Sequence, residues 1–421
     1  MPRLGISGSG EVAHYPSEVS DAQQSLTEKL SGLAGRMFPG LEERAYRRSR
    51  EQVIHSLTTA GSYGTRLSDL AMSSGAAARP SHVVIVPMQG PIFETWKPAG
   101  GNFFYEIAQS AREYAGADKV SIFEVREEES PADWHERLIR YLVSSQATHL
   151  MGQTECDPTT SGDQTWDVLW EQLAPRWDGV FLGVMFDSAF RMITLSARRI
   201  ASISDRFVVV DICMPMDDSM KRGRPEVGPV NMPISNESLA ALDEAIGDVE
   251  QIHDVSFIGA LYPYRVEMIE ALRAHGVDVA VNPHRADETR DFAESRTNQP
   301  TYVDYMRGLA QSKMTINFSV SSSLNGQQLK TRILEGSSMG CLVLTDDVDR
   351  SDRFWVPGDE VGYFTDPSDV PALVESYLAD PERLARAQAA GKARARSINV
   401  TSFWGGIDAG LAARGFPQIR D

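Results

Sequence analysis

Lys330, Arg332 and Glu335 form the most informative polar group in this 421-residue sequence. A helix predicted over Thr331–Ser338 places Arg332 and Glu335, three residues apart, on one face near its start. A carboxylate at that place can accept two hydrogen bonds from a ribose diol, and an arginine can bind phosphate oxygens in a bidentate manner. The alternative is a surface ion pair, which would stabilise the helix only slightly. In the functional interpretation both groups face one ligand, and the surface ion pair stays open as the alternative.

A glycine turn ends the strand that we predict at 255–261. Gly259 allows close approach of the backbone to a ligand. The helix predicted to follow, at Pro263–Ala274, presents free N–H groups and the positive end of its dipole to a phosphate. Arg265, in the first turn of that helix, would add a positive charge. A lone glycine turn is weak evidence, but its place at the start of a second predicted sheet favours a phosphate site.

Other polar candidates follow further predicted strands of the same half of the chain. The segment 316–330 runs from a strand into a polar, glycine-containing loop, where Asn317, Ser319 and Asn325 are candidates for ligand contacts. His284 lies just past another predicted strand. A plain solvent loop and a surface histidine are the alternatives, and the sequence leaves them open.

In the first half of the chain, the strand predicted at 180–187 ends at Asp187. A carboxyl at the mouth of a parallel sheet can act as general base towards a hydroxyl if partial burial raises its pKa. The alternative is that Asp187 caps the helix that follows. The loop after the first predicted strand adds Glu94, Trp96 and the pair Gly100–Gly101.

These residues are spread over two successive runs of alternating strands and helices, which is the pattern of parallel βαβ units. Strands are predicted at 82–88, 120–125, 148–152, 180–187 and 207–215, and again at 255–261, 277–283, 314–320, 341–347 and 361–366. Each run predicts a doubly wound sheet that binds ligands at the carboxyl ends of its strands. We divide the chain into a helical N-terminal extension and linker (1–80), two Rossmann-like domains (81–235 and 236–400) and a tail that packs back on the first domain (401–421).

Composition disfavours several other classes of protein. The net charge of -17 argues against a long nucleic-acid-binding surface. The three cysteines have no CxxC spacing, so we expect neither a disulfide framework nor a zinc site. No apolar run approaches the ~18 residues of a membrane span, and the N-terminus lacks the apolar core of a secretory signal. We therefore expect a cytoplasmic protein without a transmembrane segment.

The segment 330–384 combines an Arg-x-x-Glu helix, a small-residue turn, the strand motif Gly-x-Leu-Val-Leu-Thr and a later strand–helix pair. In this it resembles the C-terminal domain of group 1 glycosyltransferases, in particular the spore-maturation-protein-like branch. The resemblance is good over 255–396, faint over 82–250 and does not extend to 1–80. It implies the GT-B fold, in which two Rossmann-like domains face a cleft and the C-terminal one binds a nucleoside-diphosphate sugar.

The resemblance also implies roles for single residues. Glu335 would bind the donor ribose, and His284 lies near where the family seats the nucleobase. The diphosphate would meet Lys330 or Arg332, the turn at Gly259 and Arg265. Asn317 and Ser319 are further donor candidates, and Glu94 and Trp96 lie in the loop that commonly meets the acceptor. Many retaining relatives have an acidic residue eight positions before Glu335, where this chain has Gln327, so the stereochemical outcome stays open.

We expect a glycosyltransferase of the hexosyl-transferring type, with a nucleotide sugar as co-substrate and no other cofactor. The acidic pair Asp346–Asp347 follows a strand, but GT-B enzymes usually stabilise the leaving diphosphate with basic groups, so we predict no metal. A small molecule, glycan or peptide is the expected acceptor, and homodimerisation stays open. The alternatives are a sugar-nucleotide epimerase or phosphorylase on the same fold, or a non-catalytic nucleotide-sugar-binding protein.

Overall fold

The structure is a computed structural model that describes residues 51, 55, 57, 67, 69–70, 79–88, 96–126, 128–156, 158, 165–186, 191–212, 226–227, 230–283, 301–320, 328–346 and 351–420. Most of the predicted N-terminal extension lies outside these residues. Within the extension, Glu51, His55 and Leu57 are described and are helical.

The N-terminal half forms a six-stranded sheet in which every pair of neighbouring strands is parallel. Most of its strands are short runs rich in β-branched and other apolar residues, as expected of strands covered on both faces. They lie in the order β2-β1-β3-β4-β5-β6. The strands are β1 (Val83–Val86), β2 (Val120–Ile122), β3 (His149–Gln153), β4 (Val180–Met185), β5 (Phe207–Asp211) and β6 (Glu226–Val227).

Helices cover both faces of this sheet. One face carries a core rich in tryptophan, with Trp134, Trp166, Trp170 and Trp177 all buried. The opposite core combines residues of the first helix with residues from the C-terminal end of the chain, including Phe403 and Trp404. The helices of this half are α1 (Phe103–Ala115), α2 (Pro131–Ser144), α3 (Trp166–Leu173) and α4 (Arg191–Ile203).

Two residues of the segment interpreted as an appendage and linker belong to the tryptophan-rich core. Leu57 and Leu67 are 3% and 0% exposed there. Asp69, close by in sequence, forms an exposed ion pair with Arg140 at 3.3 Å. This part of the extension therefore contributes buried apolar surface to the first domain.

The C-terminal half forms a five-stranded parallel sheet in the order β11-β10-β9-β7-β8. Its strands are β7 (His253–Phe257), β8 (Val279–Val281), β9 (Ser312–Asn317), β10 (Leu342–Asp346) and β11 (Gly362–Phe364). Its helices are α5 (Asn236–Ile246), α6 (Pro263–Ala274), α7 (Tyr302–Ala310), α8 (Thr331–Ser338), α9 (Val370–Leu378) and α10 (Pro381–Ile398), and α11 (Thr401–Ala412) follows. Within the described part of the chain, no helix is both long enough and apolar enough to cross a membrane.

Both sheets have the same topology. In each half the second strand lies on one side of the first strand, and the later strands follow one another on its other side. The direction reverses between β1 and β3 in the first sheet and between β7 and β9 in the second. Adjacent helices start on opposite faces at such a switch point and leave a crevice at the carboxyl ends of the strands. The predicted class of two doubly wound, Rossmann-like domains is confirmed.

The chain crosses between the halves at two neighbouring places. The buried Asn399 side chain donates to the carbonyl of Ile234 at 2.8 Å, which joins the second crossing to the first. Glu106 of α1 accepts hydrogen bonds from the Ser235 amide and from the Ser238 hydroxyl, at 2.7 and 2.5 Å. These contacts fix the first crossing and the start of α5 against the first domain. The exact domain limits stay a proposal.

Candidate active site

The turn after β7 lies at the switch point of the second sheet. Gly259 has a φ of +153°, and a Cβ built there would lie 2.4 Å from Nη2 of Arg332. The Asn282 side chain holds the turn from the end of β8, since it accepts from the Gly259 amide at 2.8 Å and donates to the Gly259 carbonyl at 3.2 Å. A side chain at position 259 would therefore displace the arginine that fills this space.

Two arginines converge on this turn. The guanidinium groups of Arg265 and Arg332 lie 5.8 and 5.4 Å from the centre of the Phe257 ring. Arg265 is 6% exposed, and burial lowers its pKa from the ordinary value. Nε of Arg332 is buried and has no hydrogen-bond partner in the described part of the protein.

The surroundings of these arginines favour an anionic ligand. Arg265 donates to the Tyr264 hydroxyl at 2.8 Å and to the Ala260 carbonyl at 3.0 Å. Among the described residues, neither Arg265 nor Arg332 has a carboxylate within ion-pair distance. The N-terminus of α6 has no side-chain cap at Tyr262. Buried positive charge next to an uncapped helix start is the arrangement that binds phosphate.

The carboxyl end of β9 completes the same place. Oδ1 of Asn317 accepts from Arg332 at 3.3 Å, and its Nδ2 donates to the Thr345 hydroxyl at 2.9 Å. Ser319 lies two residues further, and its buried hydroxyl has no hydrogen-bond partner among the described residues. Lys330 donates to the side chain of Gln328. Asn317 orients Arg332, and Ser319 offers a further hydroxyl near it.

Glu335 lies one turn along α8 from Arg332 and is 7% exposed. Its carboxylate accepts from the hydroxyls of Tyr302 at 3.1 Å, Tyr305 at 2.7 Å and Thr331 at 3.4 Å. Burial raises the pKa of Glu335 above its ordinary 4.5, although the tyrosine hydroxyls and the charge of Arg332 act in the opposite direction. Arg332 and Glu335 thus share one electrostatic environment without a direct ion pair.

A pocket in front of Glu335 lies between the two halves of the molecule. The first domain contributes Gly101, Phe103 and Glu106, the crossing contributes Met232, Pro233 and Ile234, and the second domain contributes Tyr302, Thr331, Leu334 and Glu335. Its volume is about 20 Å³, which is room for a water-sized group. The carboxylate therefore faces the junction of the domains and not bulk solvent.

The first domain presents aromatic side chains beside this pocket. Phe103 is 48% exposed and stacks on Phe186, which follows β4, with a ring separation of 5.2 Å. Trp96 packs edge-on against Tyr105 at 5.9 Å. Such rings offer flat apolar surface to a second substrate.

The predicted site residues thus fall into three sets. The first set comes together at the switch point and comprises Gly259, Arg265, Asn317 and Arg332. Beside it, Ser319 follows β9 and Lys330 directly precedes α8. Glu335 faces the interdomain pocket, and Trp96 packs against Tyr105 of α1 in the first domain. Glu94, Asp187 and His284 lie outside the described residues, as do Asn325, Gln327 and Asp347.

Three residues of the site were not predicted. Asn282 has a φ of 45°, which asparagine tolerates better than most residues, and the sequence Val-Asn-Pro at a strand end is the signal for it. Tyr302 and Tyr305 lie three apart at the start of α7, on one face of the helix. No pattern within α7 reveals that this face meets a carboxylate 30 residues later in the chain.

A known protein family matches most of the second domain. Residues 265–400 match the family model described as glycosyl transferase-like. No curated protein matches the chain significantly.

Three solved structures illustrate the similarity of this chain to known folds. Anabaena HepE in complex with UDP and glucose has a TM-score of 0.49 at 10% identity, covering 79% of this chain and 100% of that one. Sucrose-phosphate synthase from Thermosynechococcus elongatus has 0.48 at 12%, covering 79% and 98%. A putative UDP-N-acetylglucosamine 2-epimerase from Listeria monocytogenes has 0.39 at 10%, covering 81% and 99%. The chain contains a glycosyl transferase-like region at 265–400.

Proposed function

We propose that the protein is a glycosyltransferase that binds a nucleoside-diphosphate sugar in its C-terminal domain. The observation that carries the proposal is the pair Arg265 and Arg332, which converge on the Gly259 turn with no carboxylate partner among the described residues. The glycosyl transferase-like match over 265–400 supports the same assignment.

In this proposal the two arginines and the start of α6 hold the diphosphate. Negative charge grows on the diphosphate when the sugar–phosphate bond breaks, so fixed positive groups there stabilise the transition state more than the ground state. Ser319 and Lys330 are placed to contact the diphosphate or the sugar. We predict that this chemistry needs no metal and no cofactor beyond the nucleotide sugar. Hexosyl transfer and membership of the spore-maturation-like branch also stay predictions.

Glu335 is proposed to bind the ribose of the donor. A carboxylate offers about four lone-pair positions, and the three hydroxyls that donate to Glu335 leave capacity for a further hydroxyl. His284 is proposed for the nucleobase on the basis of the sequence alone.

The acceptor is proposed to bind to the first domain, across the pocket from the donor. Trp96 and the exposed Phe103 supply apolar surface there, and Glu94 and Asp187 are proposed from the sequence as acceptor ligand and general base. The acceptor itself is a small molecule, glycan or peptide. Closure of the two domains would bring the acceptor hydroxyl to the sugar.

The first test is a thermal-shift screen with nucleoside diphosphates and their sugars, followed by calorimetry with the best ligand. We expect Glu335→Ala to weaken binding by at least about tenfold. Glu375→Ala, which removes an exposed glutamate from α9, is the control and should bind like the unaltered protein. Equal affinity in the Glu335 variant would contradict the assignment.

Turnover separates the proposed reaction from its alternatives. Nucleoside diphosphate released only in the presence of an acceptor supports transfer. Release or epimerisation without an acceptor would indicate a different reaction on this fold, and tight binding with no turnover over a broad acceptor panel would indicate a binding protein.

A further inference from the structure

Tyr302 connects two parts of the molecule that belong to different domains. Its hydroxyl donates to Oε1 of Glu335 at 3.1 Å. Its Cβ and ring pack on the backbone of Gly101, where an added Cβ would lie 2.9 to 3.2 Å from Tyr302 atoms. Gly101 has a φ of +75° and precedes the start of α1 in the first domain. One side chain thus contacts both the carboxylate of the second domain and the loop of the first.

Tyr305 provides an internal comparison because it bonds the same carboxylate from the next turn of α7. Its hydroxyl donates to Oε2 of Glu335 at 2.7 Å, and Arg332 also acts on it electrostatically. The two tyrosine rings stack at 5.8 Å on one face of α7. Tyr302 lines the interdomain pocket and Tyr305 does not. The two tyrosines therefore differ in whether they line this pocket.

The hydrogen bonds of Glu335 make the position of Tyr302 decisive. The carboxylate has about four acceptor positions and three hydroxyl donors, so a ribose diol that takes two positions must displace one of these donors. The wall at Met232–Ile234 adjoins the crossing that Glu106 and Asn399 fix by hydrogen bonds. The buried Leu334 and Glu335 are held within α8. Tyr302 and Thr331 both line the pocket and donate to Glu335, and Tyr302, at the first position of its helix, also packs on Gly101 of the first domain.

We propose that Tyr302 is a latch, whose hydroxyl occupies the place on Glu335 that a ribose hydroxyl of the donor takes and whose ring holds the Gly101 loop of the first domain. The inference rests on the proposed function and adds regulation of the same site. Donor binding exchanges the phenol for a ribose hydroxyl and frees the Gly101 loop. Entry of the nucleotide is thereby coupled to movement of the domain that carries the acceptor.

The test compares Tyr302→Phe with Tyr305→Phe by calorimetry. The probe is whichever of UDP, GDP, ADP and dTDP raises the melting temperature of the unaltered protein most. Removal of the Tyr302 hydroxyl abolishes a competitor for Glu335, so we expect affinity to rise by about three- to tenfold. Removal of the Tyr305 hydroxyl takes away a group that orients the carboxylate, so affinity should fall by a similar factor. Unchanged or weaker binding by Tyr302→Phe would overturn the latch.

A second measurement does not depend on nucleotide binding. Hydrogen exchange of the backbone amides at 97–106, measured without nucleotide, should accelerate in Tyr302→Ala and stay unchanged in Tyr305→Ala, because the atoms nearest to a Cβ built at Gly101 belong to Tyr302. Equal exchange in the two variants would refute the contact between the domains. Failure of every diphosphate to bind, with accelerated exchange in Tyr302→Ala, would reject the proposed donor and leave the interdomain contact established.

Discussion

Glu335 is a buried carboxyl whose surroundings both penalise and stabilise its charge. Burial is the largest influence and raises its pKa, while three hydroxyl donors and Arg332 oppose that rise. A carboxyl with a raised pKa in the folded protein favours folding in its protonated form, so the stability that it contributes is present below the ordinary pKa of 4.5 and is lost as the pH rises through the folded value. At neutral pH the ionised group therefore lowers stability, which is typical of a residue retained for binding.

Nucleotide binding should consequently weaken as the pH falls, starting above the range of an ordinary glutamate. The ionised carboxylate accepts hydrogen bonds from ribose hydroxyls better than the protonated acid does. Affinity should be measured from about pH 8 to about pH 5 for the unaltered protein and for Glu335→Gln, so that titration of the ligand's own phosphate cancels in the ratio. Glu335→Gln should remain folded at neutral pH, and the ratio should shrink towards the acidic end. A ratio independent of pH would contradict ionisation of Glu335 in the complex.

What the sequence reveals about single residues depends on whether their partners are local. Arg332 and Glu335 could be found because they lie on one helix turn, and Gly259 because it ends a strand. Asn282 and Tyr302 act on residues 23 and 33 positions away, so their roles emerge only when the fold brings those positions together. Side-chain contacts between distant elements leave no periodic trace in the sequence.

At the scale of elements, the β7–α6 turn combines backbone strain with close packing. Gly259 adopts a φ that other residues rarely adopt. A Cβ built at this position would lie 2.4 Å from Nη2 of Arg332. The turn therefore limits both the residue type and the position of the guanidinium group.

Gly259→Ala should lower stability by about 1–3 kcal/mol through strain and should also weaken nucleoside-diphosphate binding, because Arg332 must move. Gly276→Ala is a matched control, since Gly276 follows the adjacent α6 with a φ of +85° and has nothing within 4 Å of a built Cβ. The control should lose stability with unchanged affinity. Chemical denaturation and calorimetry on both variants separate the two effects, and equal loss of binding in both would refute the role of the turn.

The regular elements could be predicted where their signal is long or strongly periodic. The ten strands expected from apolar runs are all present, and α6 and α8 have the predicted limits. The two-residue strand β6 gives too short a signal, and α5 directly follows the segment 227–235, whose two prolines favour a connection. Its start is stabilised by the side chains of Glu106 and Glu113 from α1, which is tertiary information.

At the scale of the whole molecule, the last helix belongs to the core of the first domain although it follows the second. Phe403, Trp404, Ile407 and Leu411 of α11 are fully buried in the cluster that includes β1, β4 and β5. Trp404 also donates to the Ser110 hydroxyl of α1 at 2.8 Å. The first domain is thus complete only when the chain has passed through the second, so the two halves should unfold in a coupled manner.

Trp404→Ala should therefore destabilise the first domain, from a position more than 190 residues beyond its last helix α4. A fully buried tryptophan truncated to alanine costs about 3–5 kcal/mol, and hydrogen exchange should accelerate in β1, β4 and β5, whose buried residues share one hydrophobic cluster with α11. Trp404→Phe keeps most of the ring and loses the bond to Ser110, so it should show a smaller effect in the same strands. Ile252→Ala, at a residue 59% exposed next to β7, is the control and should stay within about 0.5 kcal/mol. Faster exchange confined to the second sheet would contradict this placement of α11, because the loss of packing must appear where the tryptophan is buried.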